Sequence, residues 1–210
     1  MDSVDYSSDG GRIVSAGRDG MVRQWDAKSG RVIGEPLRVH KGFVRSAAYS
    51  ADGTRIVSAG ADGTVRQWEA KSALAIGEPL RDHQGWVWSA AYSADGSRIL
   101  SAGADGTVRQ WEAKSGRAIG ELLRHPGLVN SAAYSPDGSR IVSAGDDGTV
   151  RQWDSKSGRA IGEPLRGHQG WVRSAAYSAD GSRIVSADMG EVRQWDANSG
   201  CSTGELLQGL

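Results

Sequence analysis

The sequence has little cysteine, little net charge and no long apolar run. Cys201 is the one cysteine, so the chain cannot form an internal disulfide, and nothing in it resembles a cluster of metal ligands. The 25 basic and 25 acidic residues balance, which argues against a general electrostatic grip on nucleic acid. No apolar stretch approaches the length needed to cross a bilayer, and the residues MDSVDYSSDG do not resemble a secretory signal. We therefore expect a soluble cytoplasmic protein with no cofactor, no metal, no nucleic-acid partner and no membrane partner.

Helical periodicity is also absent, and short strand-like runs take its place. In the stretch 40–82 such runs cover residues 43–49, 55–59, 64–68 and 75–80, with turn signals between them. The Asp-Gly pairs at 52–53 and 62–63 accept the positive φ angles of tight hairpins. Pro79 in the fourth run cannot donate a ladder hydrogen bond, which places that run at an outer edge. The pattern predicts a four-stranded antiparallel meander.

The same stretch recurs along the whole chain. Aligned tyrosines and aligned tryptophans each step by 42 or 43 residues, a period typical of propeller blades. The tyrosines are Tyr6, Tyr49, Tyr92, Tyr134 and Tyr177, and the tryptophans are Trp25, Trp68, Trp111, Trp153 and Trp195. We divide the single domain of residues 1–210 into copies at about 1–39, 40–82, 83–124, 125–167 and 168–210.

These copies resemble the tryptophan–aspartate (WD) repeat family. The marks are a His-x-Gly before the first strand, the x-Asp-Gly turn, and Trp-Asp at 25–26, 153–154 and 195–196. Two copies have Trp-Glu instead, at 68–69 and 111–112. The resemblance implies an all-β protein, a β-propeller of five four-stranded antiparallel blades around a central channel. It also implies a rigid, non-enzymatic platform that binds proteins or peptides.

Five blades raise the question of how the ring closes. Each copy contains its own four strands, innermost to outermost, and we expect a closed five-bladed ring. The alternatives are a ring completed by other chains, as in a homo-oligomer, and a fragment of a longer array. An open arc would expose two apolar blade faces and would drive association.

Serine, histidine and aspartate recur together, as in His83, Ser101 and Asp105. A hydrolase triad is one geometry and is not repeated with a period, so we do not predict catalysis from this set. The resemblance implies instead a buried relay in which the tryptophan indole donates to serine, serine contacts histidine, and aspartate holds histidine. The first copy has no such histidine, and the last has a turn one residue short, at 188–190. We therefore expect an incomplete relay, and the lowest stability, in these two copies.

Positions that differ between the near-identical copies are the candidates for partner binding at the channel rim. The first such position holds Phe43, Trp86, Leu128 and Trp171, and the second holds Arg45, Trp88, Asn130 and Arg173. Arg18 and Asp146 vary just before the turn aspartate and are expected on the same rim. Aromatic residues and arginine are typical anchors of interfaces. Trp86 and Trp171 have a competing interpretation, as wedges in the core between blades, so the second position is the stronger candidate.

The function that this pattern favours is a non-enzymatic scaffold for a protein or peptide partner. One alternative is a lectin-like propeller that stacks sugars on the repeated aromatic residues, which would need polar clusters beside them. Another is a repeat-amplified or engineered chain with no specific partner. An enzyme would need acidic residues converging at the channel, where the innermost runs offer only Asp2 and Asp5.

Overall fold

The protein is built from strands alone in the part of the chain that the computed structural model describes, which is residues 2–38, 40–203 and 207–208. Within those residues no helix is long and apolar enough to cross a membrane. The strands are β1 (Ser3–Tyr6), β2 (Arg12–Ala16), β3 (Met21–Asp26), β4 (Val32–Arg38), β5 (Val44–Tyr49), β6 (Arg55–Gly60), β7 (Val65–Glu69), β8 (Ala75–Leu80), β9 (Val87–Tyr92), β10 (Arg98–Gly103), β11 (Thr107–Glu112), β12 (Ala118–Arg124), β13 (Val129–Tyr134), β14 (Arg140–Gly145), β15 (Thr149–Asp154), β16 (Ala160–Arg166), β17 (Ser174–Tyr177), β18 (Arg183–Ala187), β19 (Glu191–Asp196) and β20 (Leu207–Gln208).

The strands form five antiparallel sheets in chain order, which are β1–β4, β5–β8, β9–β12, β13–β16 and β17–β20. Each copy of the repeat is therefore a blade with its own four strands. This confirms the predicted all-β, five-bladed organisation and the absence of strand exchange between the described parts of neighbouring blades. In the second blade the observed strands differ from the predicted runs by one residue at most. The domain limits stay a prediction, and those at residues 1, 39 and 210 lie outside the described residues.

The Asp-Gly turn shows why the sequence repeats this pair so strictly. Gly63 has a φ of +76°, which residues with a Cβ rarely adopt. A Cβ at Gly63 would also lie 3.1 Å from the carbonyl oxygen of Gly85, which belongs to the next blade. The Asp62 carboxylate accepts the Thr64 amide at 3.1 Å and stabilises the turn. One dipeptide therefore sets both the hairpin and the distance between neighbouring blades.

Apolar side chains bury the faces between blades. At the interface of the second and third blades, Val57 and Val65 pack with Val87, Ile99 and Trp111. All five side chains are at most 2% exposed. Burying a side chain of this size stabilises the fold by about 1.5–3 kcal/mol relative to exposure. Small residues on the innermost strand, such as Ala90, leave room for the blades to converge.

A glutamine and a tyrosine connect each pair of neighbouring blades. Gln67 donates through Nε2 to the Ala113 carbonyl at 2.9 Å, and its Oε1 accepts the Tyr92 hydroxyl at 3.0 Å. The same pair of bonds occurs at the other three interfaces, through Gln24 with Tyr49, Gln110 with Tyr134 and Gln152 with Tyr177. Burial raises the pKa of Tyr49 to about 12, so its hydroxyl stays protonated and can donate. These bonds fix the register of each interface.

The faces at the two ends of the arc lack this packing. Among the described strands, β1 has no extensive packing with β17 or β18, whereas the corresponding strands pack closely at each internal interface. Tyr6 is 63% exposed and its counterpart Tyr49 is 7% exposed. Val185 is 42% exposed and its counterpart Val57 is 0% exposed. Four interfaces between blades are therefore present, and the closed ring that the sequence favoured is not shown.

We expect the first and last blades to unfold locally before the third. Each has one uncovered face, so opening it exposes less new apolar surface and costs less free energy. In hydrogen exchange, amides of β2, β3, β18 and β19 should exchange faster than those of β10 and β11. Slower exchange in the terminal blades than in the third would contradict this prediction.

Candidate partner-binding site

The recurring serine, histidine and aspartate form a buried relay with tryptophan. In the third blade, Trp111 Nε1 donates to Ser101 Oγ at 2.8 Å, and Ser101 Oγ lies 2.8 Å from His83 Nε2. His83 Nδ1 lies 3.0 Å from Asp105 Oδ2. Ser101 is 1% exposed, so no substrate can reach its hydroxyl. The relay is therefore structural, as the resemblance implied, and the second blade repeats it with Trp68, Ser58, His40 and Asp62.

Hydrogen bonds keep the relay carboxylate ionised. Burial opposes ionisation of Asp105, but bonds from His83, the Thr107 hydroxyl and the Gln84 amide outweigh burial and lower its pKa. The same balance lowers the pKa of Asp62. The charged turn aspartate thus holds the imidazole and the loop that enters the innermost strand of the same blade.

The relay of the fourth blade is interrupted at its histidine. His125 Nδ1 lies 3.6 Å from Asp147 and has no hydrogen-bond partner among the described residues. The next residue is Pro126, which has no N–H, whereas Gln84 donates its amide to the carboxylate in the third blade at 3.0 Å. Burial lowers the pKa of His125 to about 4, so this imidazole is neutral at neutral pH.

The terminal blades only partly match the prediction that both of their relays are incomplete. The first blade keeps the bond from Trp25 Nε1 to Ser15 Oγ at 2.8 Å and has no histidine. The prediction of an incomplete relay in the last blade is wrong, because His168 contacts Ser186 at 2.7 Å and Asp188 at 3.0 Å. The shortened turn still orients its carboxylate, since Asp188 accepts two backbone amides at 2.8 Å within the turn.

His168, Asp188 and Glu191 also lie close enough together to hold a metal ion. All three have protein partners, however. Nε2 of His168 contacts Ser186, Nδ1 contacts Asp188, and Glu191 forms an ion pair with Arg193 at 2.9 Å. Glu191 occupies the position of Thr107, whose hydroxyl donates to the turn aspartate in the third blade. The grouping is thus a variant of the relay.

Four of the predicted binding residues form one surface group, which we call the aromatic–arginine cluster: Phe43, Arg45, Trp86 and Trp88. The Arg45 guanidinium lies 4.5 Å from the Trp88 ring centroid and 5.4 Å from that of Trp86. The Trp86 ring packs edge-on against Trp88 at 5.5 Å and against Phe43 at 6.5 Å. Phe43 and Trp86 remain 39% and 42% exposed, so the cluster presents aromatic surface to solvent.

An acidic residue of the first blade compensates the charge of this cluster. Asp2 lies 3.4 Å from Arg45 Nη1 and 3.5 Å from Arg18 Nε. Asp2 occupies the same repeat position as Arg45 and Trp88, and equivalent positions of neighbouring blades lie beside one another at the innermost strands. Asp2 was not predicted from the sequence as a member of this row. Its repeat position was the signal that could have identified it.

The remaining predicted residues have contacts of their own. Arg173 stacks on Trp171 at 5.1 Å, and both line an open depression of about 680 Å³ together with Met189. Asn130 donates to the Val172 carbonyl of the last blade at 2.9 Å, which gives it a structural bond. The Asp146 amide donates to the Leu128 carbonyl at 3.0 Å.

The interpretation of Trp86 and Trp171 as core wedges between blades is wrong. Their side chains are 42% and 56% exposed, whereas residues at the interface between blades are almost fully buried. Each of them lies in the loop that precedes the innermost strand, outside the packed faces between blades. The first variable position therefore offers more exposed aromatic surface than the second, where Trp88 and Asn130 are partly buried.

Comparison with known proteins agrees with this architecture. The family model described as WD domain, G-beta repeat matches residues 2–26, 31–69, 76–112, 116–154 and 159–196. The chain belongs to the WD-repeat family. A search of the curated proteins finds no match. Propellers of WD repeats are generally non-catalytic scaffolds for protein interaction.

The two acidic residues on the innermost strands of this WD-repeat chain are both engaged. Asp5 Oδ2 accepts the Tyr49 amide at 3.0 Å, which connects the first blade to the second. Asp2 forms ion pairs with Arg45 and Arg18. Neither carboxylate is therefore free to act as the general acid or base that an enzyme would need.

We expect Trp111→Phe to destabilise the WD-repeat arc by about 1–3 kcal/mol, because Ser101 loses its indole donor in a buried site. Equilibrium denaturant unfolding measures the change. The matched control is Trp86→Phe, which alters a 42% exposed ring and should change stability by no more than about 0.5 kcal/mol. Equal effects of the two substitutions would contradict a stabilising relay.

His125 should make stability depend on pH between about 6.5 and about 4. In this window the unfolded imidazole binds a proton that the folded imidazole does not, so the free energy of unfolding falls as the pH falls. One such group contributes a slope of at most about 1.4 kcal/mol per pH unit. Measured across this window, His125→Asn should have a shallower slope than the wild type. Trp153→Phe, which disturbs the same relay and keeps the imidazole, should retain the wild-type slope.

Proposed function

We propose that this protein is a non-enzymatic scaffold that binds a protein or peptide through the aromatic–arginine cluster. The observation that carries the proposal is the group of Phe43, Trp86 and Trp88 around Arg45, with two of its rings partly exposed. Exposed aromatic residues beside arginine are typical of the anchors that dominate binding energy in protein interfaces. WD-repeat propellers generally serve such interactions.

The chemistry of the cluster favours an apolar anchor on the partner. Asp2 already compensates the Arg45 charge, and the aromatic faces cover the guanidinium. The remaining surface is the exposed part of Phe43 and Trp86, which can pack against an aliphatic or aromatic side chain. The anchors project from adjacent packed blades, so little conformational entropy is lost when a partner binds.

The same proposal includes no cofactor, no nucleic acid, no membrane partner and a cytoplasmic location. The balanced charge of the chain supports the exclusion of nucleic acid. A chain with one cysteine, which is exposed, is compatible with a reducing compartment. A lectin-like activity and a chain without a specific partner remain the competing outcomes of the test below.

Selection from a random linear peptide library tests the proposal with the intact chain. We expect enriched peptides to carry an apolar or aromatic anchor. Trp86→Ala should weaken their binding by at least about tenfold, as expected for an interface anchor. The matched control is Leu74→Ala, which truncates an apolar side chain of 66% exposure on a loop of the second blade and should leave binding unchanged.

Three results would overturn the proposed site. They are the absence of any enriched peptide, equal binding by Trp86→Ala and the wild type, and equal losses with Trp86→Ala and Leu74→Ala. A glycan array probed in parallel should show no binding. Glycan binding that Trp86→Ala or Trp171→Ala abolishes would favour the lectin-like alternative instead.

A further inference from the structure

The arc ends in two uncovered faces that correspond to the two sides of every internal interface. We call the uncovered surface of the last blade the trailing face and that of the first blade the leading face. The trailing face comprises Val185, Ala187, Val192 and Gln194, and the leading face comprises Val4, Tyr6, Ile13 and Trp25. At the internal interfaces, residues equivalent to these two sets pack against each other.

The trailing face has the same kinds of side chain as the buried internal interfaces, but here they are exposed. Val185 pairs directly with Gln194 across β18 and β19, as Val57 pairs with Gln67 in the second blade. Val185 is 42% exposed, whereas the four equivalent residues, Val14, Val57, Leu100 and Val142, are 0% exposed. Gln194 is exposed, whereas the other four glutamines of the row are at most 5% exposed. The described residues of the last blade thus present an uncovered copy of this surface.

The leading face offers the complementary groups. Tyr6 occupies the position of Tyr49, whose hydroxyl donates to Gln24 at 3.0 Å. Ala27 occupies the position of Ala70, whose carbonyl accepts from the same glutamine at 2.8 Å. The turns are alike, since the Ala27 amide donates to Gly11 at 3.0 Å and the Ala70 amide donates to Thr54 at 2.9 Å. Within one chain, Gln194 Oε1 accepts from Arg183 Nη1 at 3.5 Å. The tyrosine hydroxyl and the alanine carbonyl that bond the equivalent Gln24 both have counterparts at the other end of the chain.

We propose that the leading face of a second copy of this chain docks on the trailing face of the first. Gln194 donates to the Ala27 carbonyl and accepts the Tyr6 hydroxyl of the second copy. Val185 then packs beside Val4 and Ile13 of the second copy. The contact repeats the interface that the chain already forms four times, with the same pair of hydrogen bonds and with Val4 in place of the alanine that the internal interfaces have at this position.

Packing favours a second copy over closure of one chain on itself. The four internal interfaces are close-packed, with most of their apolar side chains almost fully buried. In this arrangement β1 does not pack extensively against β17 or β18. Closure within one chain would require a different angle between blades at all four interfaces, and close-packed interiors resist such deformation. Docking of a second copy covers the trailing face of one copy and the leading face of the other, and it leaves the angles between blades unchanged.

The contact joins two different surfaces, so it is heterologous, and each copy keeps one free face until an assembly closes. Two substitutions separate the two surfaces. Val185→Asp places a charge on the trailing face alone, and Val4→Asp places one on the leading face alone. Both side chains are largely exposed in the single chain, at 42% and 60%, so the folded blades should tolerate the substitutions.

Sedimentation or light scattering on the intact chain tests the proposal. The wild type should have a mass that is a multiple of 22.2 kDa and that falls on dilution. Each variant alone should have the mass of one chain. An equimolar mixture of Val185→Asp and Val4→Asp should form a one-to-one pair, because the mixture retains one intact trailing face and one intact leading face. Leu74→Asp, at an equally exposed apolar position on neither face, should assemble like the wild type.

A wild type that has the mass of one chain at every concentration would overturn the proposal, and closure within the chain would then be the better account. An oligomer that persists in both variants would also overturn it, since the contact would lie elsewhere. So would variants that fail to pair when mixed although circular dichroism shows native strand content. If Val4→Asp does not fold, Tyr6→Glu provides the second test of the leading face.

Discussion

Burial of one blade against the next is the constraint on which the rest of this structure depends. A four-stranded blade has two apolar faces, and it cannot cover either of them alone. At each internal interface, valine and leucine side chains from one blade pack against the indole, the isoleucine and the inner strand of its neighbour. The glutamine and tyrosine bonds then select one register for that packing. The five near-identical sheets therefore become a single arc, and the arc holds the surface residues in place.

The relay of tryptophan, serine, histidine and aspartate stabilises each blade internally, whereas the glutamine and tyrosine bonds connect neighbouring blades. It joins the loop before the innermost strand to the turn between the second and third strands. That loop carries Phe43, Trp86 and Trp171. The buried polar network thus orients the exposed aromatic residues, although it performs no chemistry. In the fourth blade, where Pro126 offers no amide to the turn aspartate, the contact between His125 and Asp147 is longer and the strands remain intact.

The architecture was predictable because its signals are local and repeated. Asp-Gly turns and alternating runs define the hairpins, and a period of 42 or 43 residues defines the blades. Contacts between residues that are far apart in the sequence were harder to predict. The compensating role of Asp2 and the engagement of His168 by Asp188 each depend on how side chains meet across strands. The exposure of Trp86 and Trp171 was misjudged because apolar character alone does not separate a surface anchor from a core residue.

The near-identity of the interfaces has a consequence for how the chain assembles during folding. The glutamine of any blade can bond the tyrosine of any other, so side-chain chemistry does not distinguish the correct neighbour from a distant one. Short connections, such as the six residues between β8 and β9, limit each newly formed sheet to the one that precedes it. Folding of each blade as the chain is synthesised therefore favours the correct partner, whereas refolding of all 210 residues from denaturant must compete with mispaired blades that form the same bonds.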